Sequence, residues 1–420
     1  MKHGIESSTI NLVKPHKSEK SIIPGLDIVR FTAAFMVMCF HLCTLGWADK
    51  YAVTFEIVAG RAAFPELFSV TWFGWLGVEI FFVISGLVIA YSAEGVSAAT
   101  FLRRRALRLY PAAWICATIT AVTVLALGIE TNRHLLLEWL ASIVLLPRGP
   151  WVDSVYWTLP IEITFYFLIF VLLAIEKFSQ LERLAIIMGM LSSAYWILGT
   201  MVAPDYLQAN LFNVSPELSL VPYGCFFALG ALTYVVFRTG PSASRILAMI
   251  LFTSAGLIEV SHKTASANSK LNSNQSALVP QILFVAALLA IITSMLGTRH
   301  LRHRSFRLAR ILGLATYPLY LLHEIVGATI MKLVLIAGGG KYTALIIAIC
   351  LCVLASMAIA VYMEPSIRTF LRRFQAWTAD TILSAAARQR AALLQEERSG
   401  IKYPNSLQIE KRDESTCFGH

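Results

Sequence analysis

Arg30 and His41 lie on one apolar stretch that runs from Gly25 to His41. They are eleven residues apart, which on an α-helix returns to the same face about 16 Å further along. One helix face thus carries a guanidinium near its mouth and an imidazole near its middle. Ionisable groups at that depth in a membrane are costly and usually mark a function. A neutral imidazole can serve there as general base or as nucleophile. The plainer reading is a histidine hydrogen-bonded to a neighbouring helix.

Four further segments carry residues of chemical interest. Glu79 and Ser85-Gly86 share an apolar run, and a buried glutamate there needs a partner. Ser85-Gly86 also suits a close helix contact. Arg103, Arg104, Arg105 and Arg108 form a basic cluster in which Arg105 and Arg108, at i and i+3, share a helix face. Paired guanidinium groups bind phosphate oxygens in a bidentate way, although a topology signal or a lipid-headgroup contact would use the same residues. Trp157, Glu162 and Tyr166 open another apolar run, with Glu162 and Tyr166 at i and i+4. Trp157 also suits an interfacial anchor. Thr316, Tyr320 and His323 follow the i, i+4, i+7 spacing of one polar stripe, Pro318 can kink their helix, and Glu324 calls for a basic partner.

These residues must be held by membrane helices. The chain has 420 residues, 57% hydrophobic and only 14% charged, with a mean hydropathy of +0.66. Soluble domains carry about 25% charged residues. The composition predicts an all-α polytopic integral membrane protein. About ten transmembrane helices are expected, over 27–46, 73–92, 109–128, 158–175, 184–202, 217–237, 246–261, 279–297, 311–336 and 342–362. Segment 137–146 is too short to cross and reads as re-entrant or interfacial. The net charge of +10 sits in short loops between apolar segments, which excludes nucleic acid as a partner and makes membrane lipid the surrounding one. Arginine collects on one side and predicts cytoplasmic N- and C-termini. On the other side lie Lys50, Arg61 and Lys263, the last in a polar stretch, 262–278, that reads as a mobile loop. The expected organisation is a segment 1–24, a membrane domain 25–373 and a cytoplasmic tail 374–420, partly helical or disordered. Six of the seven cysteines lie in apolar stretches and read as small buried hydrophobes. His41, two residues from both Cys39 and Cys43, points to a different side of a helix from either, so no metal is expected.

Taken in order, these segments resemble the membrane-bound acyltransferase-3 family, the bacterial O-acetylases of surface glycans. The resemblance rests on Asp27 and Arg30, with ten residues between Arg30 and His41, then Phe81 to Gly86, then Arg105 and Arg108 with Tyr110-Pro111. It continues through Trp157, Glu162 and Tyr166, then Tyr317 to His323, then Glu364-Pro365, over about residues 22–373. It implies a bacterial inner-membrane enzyme that takes an acyl group, usually acetyl from acetyl-CoA, and passes it to a carbohydrate or glycolipid hydroxyl such as that of exopolysaccharide or lipopolysaccharide. Carried over, Arg30 and His41 match the arginine–histidine motif needed for activity, and Glu162 the tryptophan–glutamate motif. Arg105 and Arg108, with Arg104 beside them, match the arginines linked to donor binding. Asp27, Glu79, Ser85, Trp157, Tyr166, Tyr320 and His323 are expected to support the site, and glycan-assembly proteins are candidate partners. Thr158, Pro160 and Ile163 depart from the family pattern, which bears on acceptor geometry rather than on reaction class. Glu162 is expected near the outer face, hydrogen-bonding the acceptor. The alternative function is a proton-coupled transporter of a small anion or sugar, which would also use intramembrane His, Glu and Arg.

Overall fold

The computed structural model describes residues 23–128, 132–201, 220–296 and 303–373. The described residues form helices and connecting loops, with no strand among them. In chain order the helices are α1 (Pro24–Cys39), α2 (Gly46–Ala48), α3 (Val53–Val58), α4 (Pro65–Thr71), α5 (Gly77–Ala93), α6 (Ala98–Leu127), α7 (Asn132–Val144), α8 (Thr158–Ala174) and α9 (Leu181–Met201). They continue with α10 (Gly224–Thr239), α11 (Ala243–Leu271), α12 (Leu278–Leu296), α13 (His303–Leu322), α14 (Ile325–Ile336) and α15 (Lys341–Ala358). Contacts divide the chain into Met1–Pro365 and Ser366–His420. The tail expected over 374–420, and all but the end of the N-terminal segment expected over 1–24, lie outside the described residues.

Eight helices among the described residues are long and apolar enough to cross a membrane, or nine if one bent pair counts as a single span. Each of the ten expected segments contains an apolar helix. Among these, α10 is buried at every residue from Gly224 to Val235. A helix apolar all round belongs in the centre of a bundle. Segment 137–146 falls in α7, a thirteen-residue helix packed on α6.

Local chemistry sets the helix ends. Ser97 and Ser242 cap α6 and α11 by accepting hydrogen bonds from the Thr100 and Arg245 amides. Gly128 ends α6 with a left-handed backbone that glycine adopts without strain. Two expectations need correction here. The expected loop 262–278 is helical as far as Leu271, because Lys263 finds a buried carboxylate within the bundle and needs no exit to solvent. The helix expected over 311–336 does not break at Pro318; it breaks at His323–Glu324, where α13 and α14 meet at 73°. Of the six cysteines expected to be buried, Cys350 is exposed on its helix and Cys39 is half-buried.

Arginine-bearing helix ends are tied together at one end of the bundle. The Arg245 guanidinium donates two bonds to the Glu182 carboxylate, each 2.8 Å, and Arg238 pairs with Glu94. At the other end Lys341 and Tyr342 both reach Glu66.

The α5–α10 contact is backbone to backbone. A Cβ on Gly86 would lie 2.1 Å from the Phe227 carbonyl oxygen, and one on Gly230 would lie 1.9 Å from that of Val83. Small residues let membrane helices approach this closely. Gly230→Val should therefore push α5 from α10 at a cost of about 1–3 kcal/mol or more. The check is the melting temperature of detergent-solubilised protein, which should fall by several degrees. Gly199→Ala, where a Cβ meets open space, should leave it unchanged.

Candidate functional site

His41 does not sit on a regular α-helix. After Cys39 the chain widens into a π-helical turn over Phe40–Leu45 that carries the imidazole. Such turns inside apolar helices are frequent at functional sites. His41 faces the break between α13 and α14, and His323 Nε2 lies 3.1 Å from His41 Nδ1. The rings cross edge to face at 4.8 Å.

The surrounding carbonyls assign the tautomers. His323 Nδ1 lies 2.9 Å from the Tyr320 carbonyl oxygen and 3.2 Å from that of Leu319. A nitrogen facing carbonyl oxygens must carry the proton, so in a neutral ring His323 Nε2 is the acceptor. His41 Nδ1, which faces that nitrogen and the Val37 carbonyl oxygen at 2.9 Å, then carries its own proton. The remaining lone pair of His41 is on Nε2. Glu324 Oε2 stands 3.9 Å from this atom, the basic partner that Glu324 called for. Glu324 accepts a 2.7 Å hydrogen bond from Ser154 and is hydrogen-bonded to Asp153. A hydrogen bond between two carboxyl groups needs one proton, so this pair presents at most one negative charge to His41. Asp153 in turn accepts from the Val155 and Ile325 amides, which fixes it across the break.

Toward the arginine-bearing end lies a second cluster. Arg30 is 3.6 Å from Asp27, and Arg108, Glu162 and Tyr166 also act on it electrostatically. Gly313 leaves the room that the Asp27 carboxyl occupies, since a Cβ there would come within 2.6 Å of it. Glu162 Oε1 accepts from Ser85 at 2.9 Å and from Tyr166 at 2.6 Å. Arg105 donates to Ser92 and lies over the Phe101 and Tyr166 rings, each 5.6 Å away. Its Nε is buried with no partner among the described residues, as is the Tyr317 hydroxyl, whose electrostatic neighbours include Glu162 and Arg108. Arg105 and Arg108 are partly buried, whereas Arg104 is exposed.

Glu162 stands on the second turn of α8, as its place at the head of an apolar run suggests. Its carboxylate, however, turns to Ser85 and Tyr166 and faces the Arg30 cluster rather than the opposite end of the bundle. The expected stripe of α13 is divided in its use: Thr316 bonds its own helix at Leu312, Tyr320 meets Thr158 at 3.1 Å and His323 meets His41. Glu79 has its partner in Lys263, which also lies 3.6 Å from Glu259. Trp157 is one of three aromatic rings around that ammonium group. Sequence reasoning missed Asp153, Glu259 and Lys263. The i, i+4 spacing of Glu259 and Lys263 is a helix signal, but the polar residues after them read as a loop. No group of three His, Cys, Asp or Glu side chains able to hold a metal occurs among the described residues.

The architecture therefore offers an imidazole with one open nitrogen deep in an apolar bundle, with guanidinium groups toward one end and a carboxylate beside it. The family model described as "Acyltransferase domain" matches residues 23–364. Nodulation protein 10 of Rhizobium leguminosarum bv. viciae is 25% identical over 232 residues, which are 50% of this chain and 58% of that one. Acyltransferase MdmB of Streptomyces mycarofaciens is 26% identical over 157 residues, 34% of this chain and 37% of that one. The match thus spans about three fifths of the first relative and just over a third of the second. No solved structure matches. A family model covering nearly all of the described bundle, on a chain of membrane-length helices, shows the family: the chain belongs to the acyltransferase-3 family and is a multi-pass membrane protein.

Proposed function

We propose that this acyltransferase takes an acetyl or related acyl group from acyl-CoA and passes it to a hydroxyl of a cell-surface or lipid-linked carbohydrate, such as exopolysaccharide or lipopolysaccharide. It does so in the bacterial inner membrane, with the arginine-bearing end toward the cytoplasm. The observation that carries this reading is the pair of histidines: His323 and the Val37 carbonyl hold the Nδ1 proton of His41, which leaves Nε2 as a base between a guanidinium cluster and a carboxylate.

The donor enters from the arginine side. Its phosphates meet Arg105 and Arg108, and Arg105 has a buried Nε that lacks a partner among the described residues. Guanidinium groups suit phosphate oxygens. Arg30 and Glu162 line the way toward His41. The acceptor hydroxyl gives its proton to His41 Nε2 while its oxygen attacks the thioester carbonyl. The C–S bond breaks, and the CoA thiolate takes the proton back from the imidazolium. Glu324 steadies the imidazolium in between. A route through an acyl-imidazole would use the same nitrogen, so the lock on Nδ1 serves either one. Glycan-assembly proteins would present the acceptor from the other side.

Transfer of label from acyl-labelled acetyl-CoA to surface glycan in isolated membranes tests this reading. His41→Ala should lower the rate by about 10²–10⁴-fold, the usual contribution of a positioned base. Full transfer in that variant would refute the scheme. Arg105→Ala/Arg108→Ala should instead raise the KM for acetyl-CoA.

His323 is a positioning residue, since it acts through His41. His323→Phe should lower kcat with little change in the KM for acetyl-CoA. His323→Gln keeps an acceptor for the His41 proton and should recover part of the loss. Equal kcat in the phenylalanine and glutamine variants would show that the bond to His41 Nδ1 is dispensable.

A further inference from the structure

The mechanism above leaves one buried charge cluster unused. Lys263 on α11 pairs with Glu79 on α5 and lies 3.6 Å from Glu259, one turn back on its own helix. Glu79 is wholly buried, whereas the Lys263 side chain is 26% exposed, so the cluster opens on one side. Three aromatic rings stand around the ammonium group at 5.4–5.8 Å: Trp75, Trp157 and Tyr223. All three are half-buried.

The polar groups here are incompletely used. Glu79 Oε2, Glu259 Oε2 and Trp75 Nε1 are buried and have no partner among the described residues. Unsatisfied buried polar atoms are uncommon in folded proteins, and three in one cluster call for a ligand that bonds them. The cluster also adjoins the histidines. Trp157 is followed by Thr158, which bonds Tyr320, and the Tyr320 ring lies 5.9 Å from that of His323. Lys263 itself acts electrostatically on Tyr320. Glu79 stands at the start of α5, and the Ser92 that meets Arg105 stands at its end. The cage is therefore on the far side of the bundle from the guanidinium groups.

We propose that this aromatic-caged Lys263–Glu79–Glu259 cluster is the acceptor subsite and that it binds a neutral pyranose ring. The inference rests on the acyltransferase function proposed above. Aromatic faces receive the apolar C–H face of a sugar, the two unpartnered carboxylate oxygens accept its hydroxyl protons, and Trp75 Nε1 and the Lys263 ammonium donate to its oxygens. Two carboxylates against one ammonium disfavour an anionic ligand such as a phosphate or a uronate. The ammonium already inside the cage disfavours a second cation. The hydroxyl beyond the bound ring would then point along Thr158 and Tyr320 toward His41.

The test uses the full-length protein in nanodiscs and three probes: the methyl glycosides of glucose, galactose and N-acetylglucosamine. Tryptophan fluorescence reads occupation of the cage, and labelled acetyl-CoA reads donor binding and transfer. Wild type should respond saturably to at least one glycoside. Lys263→Met leaves Glu79 unpaired and can misfold, so Glu79→Gln/Lys263→Met, which neutralises both partners, and Tyr223→Leu accompany it. Each variant that keeps wild-type acetyl-CoA binding should bind the glycoside at least tenfold more weakly. Undiminished glycoside binding in those variants, or no saturable response in wild type, overturns the subsite. A wild type that binds a glycoside but neither binds acetyl-CoA nor transfers the acetyl group keeps the subsite and overturns the donor assignment instead.

Discussion

Every polar side chain inside a membrane bundle must find its partner within the protein, because no water is there to take its place. The bond between His41 and His323 is where this constraint shapes the molecule most. It joins the π-helical turn after α1 to the break between α13 and α14, two places where regular backbone is given up. The groups released at the break are taken up locally. Asp153 accepts the Ile325 amide, and His323 Nδ1 serves the Leu319 and Tyr320 carbonyls. The chemistry of His41 depends on this arrangement, since the same bonds that satisfy the break also decide which of its nitrogens is open.

The charged groups separate along the helices into layers. Arg30, Arg105 and Arg108 stand with Glu162 toward one end, the histidines with Glu324 and Asp153 in the middle, and Lys263 with Glu79 and Glu259 toward the other. The glycine contact of α5 with α10 supports all three. It draws together the helix that bears Glu79 of one outer layer and the Ser85 and Ser92 that meet Glu162 and Arg105 of the other, and the most deeply buried helix of the bundle. Under the proposed two-substrate transfer, this order would let donor and acceptor approach one nitrogen from opposite sides.

Much of the frame was legible without coordinates. A membrane bundle follows from long apolar runs, because length and composition alone determine whether a helix can cross. The i, i+3 and i, i+4 spacings found Arg105 with Arg108 and Glu162 with Tyr166, since neighbours on one helix are set by its pitch. What failed were readings that depended on a second helix. The polar run after Lys263 read as a loop because its partner carboxylate, Glu79, is 184 residues away. Pro318 drew attention as a breaker, yet the helix bends at His323–Glu324, where Asp153 accepts the Ile325 amide and His41 and Ser154 meet the side chains of His323 and Glu324.

The sequence by itself determined the class of the protein, its ordered motifs and the residues with chemical potential, because composition and helical pitch act over a few turns. Tertiary structure decided what each of them faces. It turned Glu162 toward the arginine cluster, gave Glu79 its lysine, set His323 against His41 and so left Nε2 as the open nitrogen. Those outcomes depend on side chains from distant helices meeting in a medium where an unpaired charge is not tolerated, and no local pattern encodes which distant partner will be there.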